Sequence, residues 1–194
     1  DWKSRNISDT YICPIVSKFS YLSGLSLHQN DVAEWEDEAK PCFLFNTRDK
    51  VIGRIAAEYL LTNETQAAGG NATFNRREIW HRPDDGRIAD AFIGCISHFG
   101  PRLVLNTEKI QAANSVYRFD FVDHVSNKKK KLLAIALLTT LSQLSAELLG
   151  RPLGSGGLKL EPGDISQILV PTNTKKSTAE ITTAFNEIDG LLRG

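Results

Sequence analysis

The chain has 194 residues, enough to bury a core as one compact unit, and its 41% hydrophobic and 24% charged residues exclude a disordered chain. Lys plus Arg and Asp plus Glu each total 23, so net charge alone gives no reason to expect a nucleic-acid partner, and any such case must rest on clustering. The longest strongly apolar run, Leu132 to Leu138, is far short of the ~20 residues of a membrane span, and no leader pattern opens the sequence. Three widely spaced cysteines (Cys13, Cys42, Cys95) do not form a disulfide framework, and the expectation is a cytoplasmic protein with no membrane partner. A first residue of Asp1 and a methionine count of 0 suggest a fragment of a longer polypeptide.

In chain order, the first forty residues show no sustained period and read as irregular with short strands, with an acidic patch at Glu34, Glu36, Asp37 and Glu38. Cys42 to Phe45 reads as a short buried strand, and Val51, Ile52, Ile55, Ala56, Tyr59 and Leu60 recur at helical spacing, predicting a helix from about Asp49 to Leu61. A polar, Gly-containing loop is expected from Thr62 to Thr73. Glu78 to Phe121 is rich in β-branched and aromatic residues and broken by Pro83, Gly86, Gly94 and Gly100-Pro101, the pattern of several short strands. Its clearest strands are Arg102 to Leu105 and Ser115 to Phe121.

Leucines at 133, 137, 141, 144 and 148 predict one long helix from Lys131 to Leu149, stopped by Gly150 and Pro152. A strand is expected from Ile165 to Val170, stopped by Pro171. Ser177 and Glu180 have the spacing of a capping box, ahead of an apolar stripe of Ile181, Ala184, Phe185, Ile188, Leu191 and Leu192. The expected class is α+β: a curved, mostly antiparallel sheet with packed helices, ending in an amphipathic C-terminal helix. Residues 1–172 would form the main body, and residues 173–194 the helix, resting on that body or on another domain.

Several chemistries lack their motifs. Gly154 to Gly157 has no Gly-Lys-Ser/Thr ending and reads as a tight turn. Cys95 and His98 have ligand-like spacing without a second pair, so no metal is expected. Asp84 and Asp85, with Glu38 and Lys40, supply the residue types of a metal-dependent nuclease, but the two aspartates before Gly86 read more simply as turn residues. Basic and aromatic residues interleave at Arg76, Arg77, Trp80, His81, Arg82 and Arg87, then at His98, Phe99 and Arg102. Exposed guanidinium groups pair with phosphates or guanine edges, and Asn and Gln suit adenine.

Asp90 to Asn106, Ala113 to Arg118, Ser142 to Arg151 and the segment Gly154-Ser-Gly-Gly-Leu-Lys-Leu-Glu-Pro162 occur in an order that resembles the C-terminal part of adenine-N6 DNA methyltransferases of restriction-modification systems with the TaqI-type domain order. The resemblance implies a non-catalytic target-recognition domain, with double-stranded DNA, an N-terminal methyltransferase catalytic domain and a restriction endonuclease as the partners it suggests. S-adenosylmethionine would bind that other domain; this chain has no Pro-Pro pair for the adenine-binding loop and no catalytic residues are expected in it. The expected DNA-binding residues are Arg76, Arg77, His81, Arg82, His98, Arg102, Asn114, Arg151, Ser155 and Lys159, with an internal hydrogen-bonding role as the alternative for Arg102, Asn114 and Arg151. A strand ending in Val170-Pro171 before an amphipathic helix is also similar to type I specificity subunits, where the helix is a spacer.

Overall fold

The computed structural model describes residues 2–68, 76–83 and 85–194. Contacts cluster into two compact units, Asp1–Ile15 with Cys42–Arg87, and Val16–Pro41 with Ile88–Gly194, where composition alone suggested one. In chain order the elements are β1 (Ile12–Val16), α1 (Asp31–Asp37), β2 (Phe43–Phe45), α2 (Arg54–Ala68), β3 (Ala91–Gly94), β4 (Ile96–Ser97), β5 (Leu103–Leu105), β6 (Gln111–Ala112) and β7 (Val116–Phe119). There follow α3 (Asn127–Ala136), α4 (Thr140–Leu149), β8 (Arg151–Pro152), β9 (Leu158–Lys159), α5 (Pro162–Ile165) and α6 (Thr178–Arg193). No single helix among the described residues is long and apolar enough to cross a membrane.

In the first unit β1 and β2 pair antiparallel, with Ile12 opposite Phe45 and Pro14 opposite Phe43. Ile7, Tyr11 and Ala56 are buried there, and Trp2, Ile12, Phe45 and Tyr59 pack around them. Helix α2 starts five residues later than the apolar spacing predicts, and three features hold the preceding segment out of the helix. Asp49 takes a left-handed backbone (φ 55°), Lys50 Nζ donates to the Thr10 carbonyl, and Tyr11 Oη donates to the Val51 carbonyl at 2.7 Å while accepting from the Gly53 amide at 2.9 Å. Val51 is left 93% exposed. The helix then runs through much of the segment expected to be a loop; the remainder of that loop lies outside the described residues.

The second unit is built on the antiparallel sheet β5-β3-β7. Central β3 is buried at all four positions, as a strand covered on both faces should be. On β7 and just beyond it, Tyr117, Phe119 and Phe121 pack on the core while Arg118 and Asp120 are exposed; Val116, two positions before Arg118, is buried. Ala134 and Leu137 at the end of α3, Ala146 of α4 and Phe185 of α6 close the same core. Strand pairing is mostly antiparallel as expected, with one parallel bridge between Ser26 and Leu105, and the strands divide among small sheets.

Three expectations are corrected in this unit. The helix expected over Lys131–Leu149 is two helices, α3 and α4, bent by 68° at a short break. Thr139 is extended there (φ −71°, ψ 151°), its Oγ1 donates to the Ala136 carbonyl at 2.7 Å, and buried Ser142 Oγ lies 2.9 Å from the same carbonyl. Side-chain hydroxyls thus take a carbonyl that would have continued the helix. The strand expected over Ile165–Val170 is absent; the Leu169 amide donates to Ser145 Oγ at 3.0 Å, and the Leu169 carbonyl lies 2.8 Å from Ser142 Oγ, so helix serines replace a ladder partner. The acidic patch is mostly helical: Glu34, Glu36 and Asp37 lie on α1, anchored by buried Trp35, whose Nε1 donates to the Tyr21 carbonyl at 3.1 Å.

The C-terminal helix forms as its capping box predicts: Ser177 Oγ accepts from the Glu180 amide at 3.2 Å, and Glu180 Oε2 accepts from the Ser177 amide at 2.8 Å. Lys176, hydrogen-bonded to Glu180, and the Ser177 amide bring the Glu180 carboxyl down to about 2. Of the apolar stripe, Ile181 and Phe185 are buried and Ile188 packs on the core, whereas Leu191 is exposed. The helix rests chiefly on α3.

Candidate nucleic-acid interface

The ten candidate residues divide between the units: Arg76, Arg77, His81 and Arg82 in the first, and His98, Arg102, Asn114, Arg151, Ser155 and Lys159 in the second.

In the first unit Arg76 and Arg82 are exposed. Arg77 is half-buried and donates to the Trp80 carbonyl at 3.5 Å, closing the local turn. His81 is tied to the unit through Nδ1, 2.5 Å from Thr47 Oγ1. Burial, and then the neighbouring Arg82 charge, push its pKa down, so near neutral pH this histidine is a neutral hydrogen-bonding group. Asp85 Oδ1 accepts from the Arg87 amide at 3.0 Å ahead of Gly86 with φ 73°, an Asx turn of the expected kind, while Asp84 lies outside the described residues. Glu38 and Lys40, in the second unit, pair with each other.

In the second unit two candidates, Arg151 and Lys159, lie on one small antiparallel sheet, β4-β9-β8, and two more, His98 and Ser155, lie on the turns next to it. Arg151 and Ile96 both lie opposite Lys159, so the three side chains share a face, and Pro152, Leu158 and Ser97 share the other. Leu158 packs on the core, which turns the Arg151–Lys159–Ile96 face outward. Gly154 to Gly157 closes the β8-β9 hairpin: the Leu153 amide donates to the Gly157 carbonyl at 2.7 Å, the Gly156 amide donates to the Leu153 carbonyl at 3.1 Å, and Gly156 has φ 77°. Ser155 is exposed at the tip of this turn. The His98 ring lies over the turn, with Cε1 3.3 Å from where a Cβ on Gly157 would stand.

Charge on this face is unevenly available. Lys159 Nζ is 2.6 Å from Glu161 Oε1, and that contact holds the Glu161 carboxyl below its ordinary value. Arg151 is exposed and has no hydrogen bond or ion pair among the described residues. Asn114 is exposed in the turn before β7, beside Ser115, whose carbonyl accepts from Cys95 Sγ at 3.6 Å. No group of three metal-ligating side chains exists among the described residues.

Arg102 is largely withdrawn from this face. Its guanidinium donates to the Leu22 and Ser23 carbonyls and lies 5.5 Å from the Phe19 ring centroid. Burial, then the nearby Arg193 charge, lower its pKa. The geometry is that of the internal role weighed for this residue.

A second charged cluster was not legible in the sequence. Asp189, on α6, is 5% exposed; Oδ1 accepts from the Leu25 and Ser26 amides at 2.5 and 2.9 Å, and Oδ2 meets Arg193 Nε at 3.1 Å. Arg193 in turn reaches Asp31 Oδ1 at 2.7 Å and the Ser26 carbonyl. Ser26 Oγ and Asp189 Oδ2 both contact His28 Nε2, at 3.1 and 2.9 Å, so the three residue types of a hydrolytic triad meet without its relay, because both oxygens address the same ring nitrogen. The cluster fastens α6 to the 24–31 segment. Its one sequence signal is an acidic residue on the buried face, four positions after Phe185 and eight after Ile181.

The family described as "Type II methyltransferase M.Eco57I, C-terminal domain" matches residues 2–194. No curated protein matches the chain.

Proposed function

From the chain's membership of the family of the C-terminal domain of the type II methyltransferase M.Eco57I, we propose that it grips and reads double-stranded DNA on behalf of a methyltransferase catalytic domain elsewhere in the protein. The observation that carries this reading is the outward face of β4-β9-β8, where Arg151 and Lys159 lie side by side on a short, hydrogen-bonded sheet anchored to the core through Leu158, with His98 and Ser155 exposed on the turns that flank it. A fixed sheet presenting an exposed guanidinium, with an imidazole and a hydroxyl on its flanking turns, suits both phosphate contact and base-edge contact. Arg76 and Arg82 add exposed cations in the first unit, while the engaged groups of Arg77, His81 and Arg102 shape the surfaces around these contacts.

In this reading the target is an adenine amino group, the catalytic domain binds S-adenosylmethionine and the extruded base, and this chain selects the site at which extrusion occurs. The chain's own Gly-rich segment does not fit the cofactor: it is a hairpin turn whose amides at Leu153 and Gly156 are taken internally, and open space surrounds Gly154 and Gly156. A specificity-subunit role needs a projecting spacer helix, whereas α6 is folded back on α3 and no strand ends at Val170-Pro171, so no observation favours that alternative.

The test is anisotropy of a labelled duplex titrated with the 194-residue chain at low and moderate salt, alongside an Arg76/Arg77/Arg82→Ala variant and an Arg151/Lys159→Ala variant. Salt-sensitive binding that either variant weakens supports the reading and places the contact in one unit or the other. A folded chain that binds no duplex at the lowest salt contradicts it.

A further inference from the structure

Phe99 is 95% exposed, an unusual state for a large aromatic ring, on a loop that is otherwise tied down on every side. Ser97 Oγ donates to the Gly100 carbonyl and accepts from the Phe99 amide at 3.3 Å, so one hydroxyl closes the turn around the ring. Gly100 has a left-handed backbone (φ 80°), and a Cβ built there would fall 1.4 Å from Gln143 Oε1. That Gln143 side chain donates from Nε2 to the Leu137 carbonyl at 2.6 Å and to the Pro101 carbonyl at 3.3 Å, pinning the loop onto the break between α3 and α4. Downstream, Arg102 clamps the chain to Leu22 and Ser23. A ring that could fold back if the loop were loose is held in solvent by a backbone with little freedom to move.

Its surroundings identify the occupant. Phe99 directly follows exposed His98, which lies over the β8-β9 turn, and the loop leaves the sheet edge whose outward face carries Ile96, Lys159 and Arg151. A fixed apolar projection that leaves the same sheet edge as the face carrying exposed Arg151 matches the two surfaces of duplex DNA, anionic backbone outside and stacked bases within.

Resting on the DNA-binding reading above, we propose that Phe99 is a wedge that inserts between neighbouring base pairs of the bound duplex. Preorganisation of the loop lowers the ordering cost of insertion, and a wedge confers preference for base steps that unstack easily, a form of selection made without base-edge hydrogen bonds.

The experiment compares a labelled mixed-sequence duplex with the same duplex carrying a central abasic site, where unstacking is already done. The wild-type chain is expected to bind the abasic duplex about tenfold more tightly. Phe99→Ala is expected to keep its thermal midpoint and lose that preference, and Phe99→Trp to keep the preference and show a quenched indole emission on binding. Equal affinity of the wild type for both duplexes, or a preference that survives in Phe99→Ala, overturns the wedge while leaving DNA binding intact. No binding to either duplex at low salt overturns the DNA-binding reading and the wedge with it.

Discussion

The second unit holds two arginines under opposite conditions, Arg193 in a buried cluster with two aspartates and Arg151 on an exposed sheet face. In the Asp31–Asp189–Arg193 cluster the carboxylates are buried, and each oxygen of Asp189 meets at least one donor. On the β4-β9-β8 face, Arg151 is exposed and without a hydrogen bond or ion pair among the described residues. A buried charge must be compensated where it stands, so the first cluster holds the fold together. An exposed cation pays no desolvation cost, contributes little to stability and remains available to a ligand. Charge type does not separate the two; the number of partners already engaged does.

Removing one member of the buried cluster is the strongest way to break this contrast. Asp189→Ala leaves Arg193 Nε and two amides without their acceptor, and a loss of about 3 kcal/mol is expected in urea denaturation. A change within experimental error would show that the cluster is not the anchor of α6.

Acidification is a second route to the same contrast. Burial pushes the Asp189 carboxyl up, but the Ser26 and Leu25 amides and Arg193 outweigh it and hold the group below its ordinary value of 3.8. For a depressed carboxylate, the contribution is fully present above the unfolded-state pKa and is lost as pH falls through the folded one. Urea midpoints should therefore decline below about pH 4, and Asp189→Asn should flatten that decline.

Gly100→Ala sharpens the account of the loop. With φ 80° and Gln143 against the position, the substitution is expected to cost about 1 kcal/mol or more and to weaken duplex binding by displacing Phe99 and His98. A variant as stable and as tight as wild type would mean that the loop is not held as described.

Arg151→Ala marks the other pole: stability within about 0.5 kcal/mol of wild type, with a duplex affinity whose dependence on log salt is shallower by about one. A stability loss comparable to that of Asp189→Ala would place Arg151 in the structural class.

Much of the second unit was legible in the sequence because its signals are local. The strand through Tyr117 and Phe119, the capping box at Ser177 and Glu180, and the turn at Gly154–Gly157 each follow from residue types and spacing within a few positions. What was not legible depends on contacts distant in sequence. The unbroken leucine spacing from 133 to 148 hid the bend that Thr139 and Ser142 impose. Val51 and Ile52 carried a helical pattern that Tyr11, forty positions away, prevents. The same holds for the site: the basic clusters were visible, but neither the internal capture of Arg102 by Leu22 and Ser23 nor the alignment of Arg151 with Lys159 across a hairpin could be read from residue order.

The most direct measurement of the central claim is the salt dependence of duplex affinity for the wild-type chain and an Arg76/Arg82/Arg151→Ala variant. A linear fall of log affinity with log salt is expected for the wild type, and for the variant a slope shallower by about two to three, about one for each cation that contacts a phosphate. A wild-type chain that is folded yet binds no duplex, or identical slopes for the two proteins, would contradict it.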